Sequence, residues 1–288
     1  MGLLGLSAIW GSSFLFIKIS VESIPPSLLT FYRLLVASLF LLIFCKISFK
    51  NLQKNFLSIL IVALFGNLIP FNLISWSELY VDSVVASTLI GTMPMFTYLL
   101  TLLVFKNQPF SYFKLFGLLI CFVGLILFIG IDAKQIFTGS YIYTSAILFS
   151  SFCYAISANC VKKIQNQSAI EIASTSTFLA TILTFPVMLL TFNLSEITFS
   201  ECFKILTLKS LVSATILGLV CTAMAIIIFF KIIQMKSPVF ASQSNYLIPV
   251  FGFIWSYIFL HEKLTVNLFV GLVLIVVGGY LLNFVKNN

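Results

Sequence analysis

Apolar residues run through the chain in long blocks, separated at short intervals by clusters of charge, proline, asparagine and glycine. The blocks lie near residues 2–19, 28–45, 56–77, 83–105 and 113–131, then 140–161, 171–192, 210–230, 238–260 and 265–285. Each is close to the roughly 20 residues of helix that cross a hydrocarbon layer of about 30 Å. The pattern predicts an all-α integral membrane protein of ten transmembrane helices joined by short loops.

The chain also matches itself. Ala86, Ser87, Pro94 and Phe96 correspond to Ala241, Ser242, Pro249 and Phe251, 155 positions later. Gly117, Leu118, Val123, Gly124 and Leu127 correspond to Gly271, Leu272, Val277, Gly278 and Leu281, 154 positions later. Each half holds five spans, an odd number, so the second copy enters the membrane from the opposite side and the repeats are predicted to be inverted. The expected units are 1–131 and 140–288, with 132–139 as an external linker.

Composition removes the soluble alternative. Of 288 residues, 60% are hydrophobic and 8% charged, against roughly 25% charged in a soluble domain. No water-facing coat can be built from that, so the surplus apolar surface must face lipid. The apolar stretch Leu3 to Ile17 lacks a basic leader and a small-residue cleavage site, so the first span is expected to stay in the mature protein.

Charge then orients the spans. With a cytoplasmic amino terminus, Lys46, Lys50, Lys54, Lys106, Lys114, Lys162, Lys163, Lys231, Lys236 and Lys286 lie inside, whereas Lys18, Lys134, Lys204, Lys209 and Lys263 lie outside. The excess of lysine inside predicts that both termini are cytoplasmic, as in a multi-pass protein of the cell inner membrane. The formal charge of +8 is scattered rather than gathered in one stripe, so no nucleic-acid partner is expected.

Polar positions within the blocks are the candidate contacts for a substrate. Ser87, Gly91, Pro94 and Tyr98 step by three or four and share a helix face, as do Ser242, Asn245 and Pro249. A proline inside a span frees a carbonyl one turn earlier, which is tolerated beside a water-filled cavity, although a packing kink is the plainer reading. Asn72, Ser75 and Trp76 form a second polar face, and Ser244, Asn245 and Tyr246 cluster near Pro249. Such neutral and aromatic groups would hold a zwitterion, an amide or a planar cation, or would merely join helices.

Charged side chains in or near the spans carry a second set of expectations. Arg33 is the one basic residue well inside a span, and its natural partner is a carboxylate or phosphate, unless it snorkels to the headgroups from about five residues inside the outer end. Lys18 and Glu78, near outer span ends, read as gate, counter-ion or solvated helix ends, and Glu78 is the best proton-coupling candidate.

Enzyme chemistry has no constellation to rest on. There is no paired intramembrane carboxylate, the one histidine is His261, and the six cysteines (Cys45, Cys121, Cys153, Cys160, Cys202 and Cys221) contain no CxxC pair. Neither a metal site nor a disulfide framework is expected. No GxxxxGK[ST] loop is present for an ATP-driven pump.

The run Trp10-Gly11-Ser12-Ser13-Phe14 leading to Lys18, followed by Pro26 and Arg33, resembles the opening of EamA-type members of the drug/metabolite transporter superfamily. Tyr154-Ala155 leading to Lys162 is similar to the family's second-half opening, and Ala86 to Pro94 and Ala241 to Pro249, with Leu260 to Leu264 carrying Glu262, resemble its fourth and ninth helices. The resemblance covers essentially the whole chain.

It implies two inverted five-helix repeats around a central cavity, no cofactor, and alternating-access transport of a small metabolite such as an amino acid or drug-like compound. Export is the expected direction; uptake, exchange or a passive channel are the alternatives. Trp10, Ser13 and Tyr154 join the expected cavity residues, and the protein is expected as a monomer or homodimer in the bilayer. Asn107 stands where the second half has Glu262, and no arginine in the seventh span mirrors Arg33.

Overall fold

The computed structural model of the chain describes residues 2–45, 49–106, 110–129, 141–194, 204–260 and 266–284. The 132–139 linker, Asn107, Cys202, His261 and Glu262 lie outside the described residues. Seven helical stretches among those described are long and apolar enough to cross a membrane. They are α1 (Gly2–Val21), α2 (Pro26–Phe44), α3 (Phe56–Ser77), α4 (Ser83–Leu103), α6 (Tyr141–Lys163), α7 (Ala169–Leu194) and α8 (Leu208–Met235). Between and after them lie the apolar helices α5 (Tyr112–Ile129), α9 (Pro238–Ser242 continued by Ser244–Leu260) and α10 (Val266–Phe284).

Local chemistry fixes several of the starts. Pro26 opens α2, where a missing N–H costs nothing because the first turn has no internal partner for it. Ser168 and Glu171 form a reciprocal cap before α7: Ser168 N donates to Glu171 Oε2 at 2.6 Å, and Glu171 N donates to Ser168 Oγ at 3.4 Å. Thr207 and Ser237 cap α8 and α9 by accepting the Ser210 and Phe240 amides. Large apolar side chains such as Ile43, Leu103, Phe113 and Leu190 are exposed on the outside of the bundle. That surface is stable only against lipid, so the chain is a multi-pass membrane protein.

Two spans are not regular. α3 widens into a π-helical segment at Leu64–Leu68 and α8 at Leu217–Met224, each with a glycine, Gly66 or Gly218, pressed against a neighbour. Two spans are broken. α4 turns at Gly91 and Thr92, between Ser83–Ile90 and Met93–Leu103, and α9 turns at Gln243. Such irregular backbone survives in a membrane only when it is buried in protein or lines a cavity.

The helix contacts come in exchanged pairs. α1 packs on α9 and α8, while α6 packs on α4 and α3; α2 packs on α8, while α7 packs on α3. The remaining large contacts join α2 to α7, α4 to α9 and α5 to α10 across the halves, and α2 to α3 and α7 to α8 within them. The contact of α5 with α10 is an antiparallel glycine crossing: a methyl at Gly124 would stand 2.9 Å from the Gly271 carbonyl oxygen, and one at Gly278 would stand 2.6 Å from that of Gly117. Small residues permit this close approach where lipid supplies no hydrophobic drive between helices.

Candidate substrate cavity

A cavity of about 70 Å³ lies at the centre of the bundle, lined by side chains from seven helices. α1 contributes Trp10, Ser13, Phe14 and Ile17; α2 contributes Arg33; α3 contributes Gly66, Phe71 and Ile74. Ile90 and Met93 come from α4, Tyr154 and Ser157 from α6, Ile226, Phe229 and Phe230 from α8, and Asn245 and Ile248 from α9. The lining therefore draws on both halves of the chain. Much of it also falls at matching repeat positions: Trp10 with Tyr154, Ser13 with Ser157, Ile90 with Asn245, and Met93 with Ile248.

Arg33 is 5% exposed, and its guanidinium is turned into the protein rather than toward the headgroups. Its Nε donates to Thr222 Oγ1 at 2.5 Å, and Cζ stands 3.8 Å from the centre of the Phe71 ring. Thr222 donates in turn to the Leu217 carbonyl at 2.7 Å, a bond reaching back five residues within the π-helical segment of α8. The acceptor for Arg33 thus lies within the widened segment of α8. Snorkelling, one of the two readings of Arg33, is not what the side chain does.

Trp10 is positioned by the same segment: its indole N–H donates to the Cys221 carbonyl at 3.2 Å, and its ring meets Phe229 edge-on at 5.0 Å. Phe71 and Tyr154 meet edge-on at 6.5 Å. Asn245 Nδ2 donates to the Ser242 carbonyl at 3.0 Å and lies 3.1 Å from Met93 Sδ. Ser13 donates back to the Trp10 carbonyl at 2.6 Å. The wall is aromatic and aliphatic with a few polar groups, the usual make-up of a small-molecule site.

The predicted face of α4 lies beside the cavity rather than on it, whereas the predicted face of α9 reaches it through Asn245. A helical residue turns 100°, so Ile90 and Met93 look inward while Gly91 and Pro94, one position on, do not line the wall. Pro94 is the second residue of the segment Met93–Leu103 that follows the turn, where its amide would have no partner within the helix; Pro249 lies within the second part of α9. Ser87 donates to the Val84 carbonyl at 2.8 Å and packs on Gly252, and Ser242 donates to the Val239 carbonyl at 2.9 Å. Tyr98 binds the backbone of Ser111, while Tyr246 is buried in an apolar cluster with Leu118, Cys121 and Phe253.

Asn72 and Trp76 line a separate groove, with Pro25, Ser27 and Thr191 among its other walls. Asn72 donates to the Leu68 carbonyl at 2.8 Å, and Trp76 meets Tyr143 at 4.7 Å.

The charged ends differ from solvated helix ends. Lys18 Nζ donates to the backbone carbonyls of Glu78 at 2.7 Å and Val81 at 3.2 Å, just past the end of α3. Glu78 is fully buried, with Oε2 accepting from Ser83 Oγ at 3.3 Å and Oε1 unpartnered. At the matching place in the second half, Lys162 Nζ donates to the carbonyls of Ile233, Gln234 and Lys236 at 3.1–3.3 Å, at the end of α8. Each lysine meets the negative end of a helix dipole from the first helix of its own half.

Lys162 and the matching Ser157 were within reach of sequence reasoning. They follow from sliding the α1 motif onto α6, as Lys18 and Ser13 do. Phe71, Ile74, Phe229 and Phe230 carried no such mark, being apolar residues among apolar residues.

The comparisons with known proteins agree with this picture. The chain is 24% identical over 291 residues to an uncharacterized transporter, YoaV, of Bacillus subtilis, covering 99% of this chain and 96% of that one. It is 26% identical to an uncharacterized transporter of Buchnera aphidicola from Schizaphis graminum, over 88% of this chain and 84% of the other. It is also 26% identical to Protein PagO of Salmonella typhimurium, over 84% and 78%. A protein of known crystal structure shares the fold at a TM-score of 0.73 and 14% identity, over 98% of this chain and 96% of its own. The model of the EamA-like transporter family matches residues 1–130 and again 142–284, so the chain belongs to that family.

Proposed function

We propose that the protein is a secondary carrier of the inner membrane that moves a small metabolite by alternating access, and that it is not an enzyme. One observation carries this reading: the central cavity is shared by two halves whose helices contact each other in exchanged pairs. Two near-equivalent halves can pack in two near-equivalent ways, one open to each side, with the site at their junction. The antiparallel crossing of Gly117 and Gly124 with Gly278 and Gly271 supports units of 1–131 and 140–288, inverted across ten spans.

The two lysines supply gates. With both termini cytoplasmic, Lys18 closes α1 onto α3 at the outer face, and Lys162 closes α6 onto α8 at the inner face. Each lies five residues, about 7.5 Å of helix, beyond Ser13 or Ser157 of the cavity wall. Outward opening requires Lys18 to leave its carbonyls, and inward opening requires the same of Lys162. Trp10, Ser13, Arg33, Tyr154 and Asn245 are the substrate contacts in this reading; Asn72, Trp76, Ser87, Gly91, Pro94, Tyr98, Ser242, Tyr246 and Pro249 shape the helices around them.

Reconstituted protein tests the reading directly. Flux of a cavity ligand into proteoliposomes should saturate, and unlabelled ligand trapped inside should accelerate uptake of label. Flux that rises without limit and shows no counterflow would identify a channel instead.

A further inference from the structure

Among the described residues that line the cavity Arg33 is the one charged side chain, and no carboxylate of that lining pairs with it. Arg33 is 95% withdrawn from solvent, makes its one hydrogen bond through Nε, and forms no ion pair among the described residues. A guanidinium presents five N–H donors in a planar fork, so the Nη groups remain for a ligand. Glu78, the nearest candidate counter-ion, does not line the cavity and accepts instead from Ser83. An isolated cation in a membrane interior is costly, and an anion that docks on its fork recovers a charge-assisted, bidentate interaction.

The rest of the wall fixes the other end of such a ligand. Phe71 lies under the guanidinium, and Trp10, Phe14, Phe229 and Phe230 complete a largely aromatic enclosure. Among the described residues, no carboxylate lines the cavity to receive an ammonium group. We infer that the cavity takes an organic anion, a carboxylate on a flat apolar body, with the carboxylate on Arg33 Nη and the body against the aromatic wall. The inference rests on the carrier reading of the same cavity and narrows its cargo from amino acids and drug-like compounds in general to anions without a compensating cationic group.

A charge series on one body tests this. Purified protein is titrated with 3-phenylpropionate, 3-phenylpropanamide, 3-phenylpropylamine and phenylalanine, with quenching of tryptophan fluorescence as the readout. The acid is expected to bind at least about tenfold more tightly than the amide and the amine, with phenylalanine in between. Arg33→Gln should remove about tenfold or more of the acid's affinity and leave the amide within about twofold, while Arg33→Lys retains part of the preference. Phe71→Leu, which keeps the charge, should weaken all four ligands together.

Equal affinity for acid and amine, or acid binding unchanged in Arg33→Gln, would overturn the inference. Counterflow of each ligand separates the two levels. Saturable flux without preference for the acid removes the anion and keeps the carrier, whereas acid binding without saturable flux removes the carrier and keeps the anion site.

Discussion

The contact between α5 and α10 makes a quantitative demand on Gly278. A methyl placed there would stand 2.5 Å from Cys121 Sγ, 2.6 Å from the Gly117 carbonyl oxygen and 2.8 Å from the Cys121 amide nitrogen. Two of these are backbone atoms of the facing helix, so no rotamer change relieves them. Ordinary contact begins at 3.4 Å, so α10 must retreat by roughly 0.8 Å, and a gap of that size forfeits a quarter to a half of each dispersion contact along the crossing. Overpacking of this kind costs about 1–3 kcal/mol.

Alanine also propagates a helix better than glycine by about 1 kcal/mol, which partly offsets the clash. Gly5 isolates that effect, since a methyl there meets nothing within 4 Å. Gly5→Ala and Gly278→Ala share the propensity gain, and their difference is the crossing alone. Thermal unfolding in a mild detergent should therefore rank Gly5→Ala highest, Gly124→Ala lower and Gly278→Ala lowest. The middle place of Gly124 follows from nearest approaches of 2.9 Å, longer than those at Gly278. If Gly278→Ala melts with Gly5→Ala, the close approach of the two helices is not a real constraint.

Three further outcomes follow from the cavity and its ends. Lys18→Met should raise labelling of a cavity cysteine, introduced at Ser13, by an impermeant maleimide added outside, and Lys162→Met should raise labelling from the cytoplasmic side; a shift to the same side in both variants removes the paired gates. Thr222→Val keeps the shape of the side chain but strands Arg33 Nε, so it should cost about 1–3 kcal/mol in thermal unfolding while Thr222→Ser stays close to wild type, and equal stability of the two would dismiss the Arg33 to Thr222 bond. If Glu78 couples transport to protons, Glu78→Gln should abolish the response of flux to a pH gradient without abolishing counterflow; wild type and variant responding alike would leave Glu78 as a structural carboxylate.

Span positions were legible because lipid imposes a length and a hydrophobicity that no loop can imitate, and the helix ends fall within a few residues of the apolar blocks. The glycines of the repeat were legible for a related reason. A helix can be approached to backbone distance only where side chains are absent, and a methyl at Gly124 or Gly278 would press on the facing backbone at Gly271 or Gly117. The face of α4 that meets the cavity was not legible in the same way. Polar and helix-breaking residues drew the reading to Ser87, Gly91 and Pro94, yet inside a membrane those are the residues that need burial against protein, where the Ser87 hydroxyl returns to its own helix. The cavity wall fell instead to the adjacent apolar stripe of Ile90 and Met93.

Arg33 shows how the two kinds of information combine. Its charge marks it in the sequence as costly, but whether a charge near a span end escapes to the headgroups depends on what lies beside it. The answer is held by α8, where the π-helical segment offers Thr222 as an acceptor and the Cys221 carbonyl as the anchor for Trp10. Nothing in the apolar run from Leu208 to Met235 announces that widening, and the widened segment is the part of α8 that packs against α1 and α2. One irregular segment of α8 thus holds both Trp10 and Arg33, two cavity residues that belong to different helices.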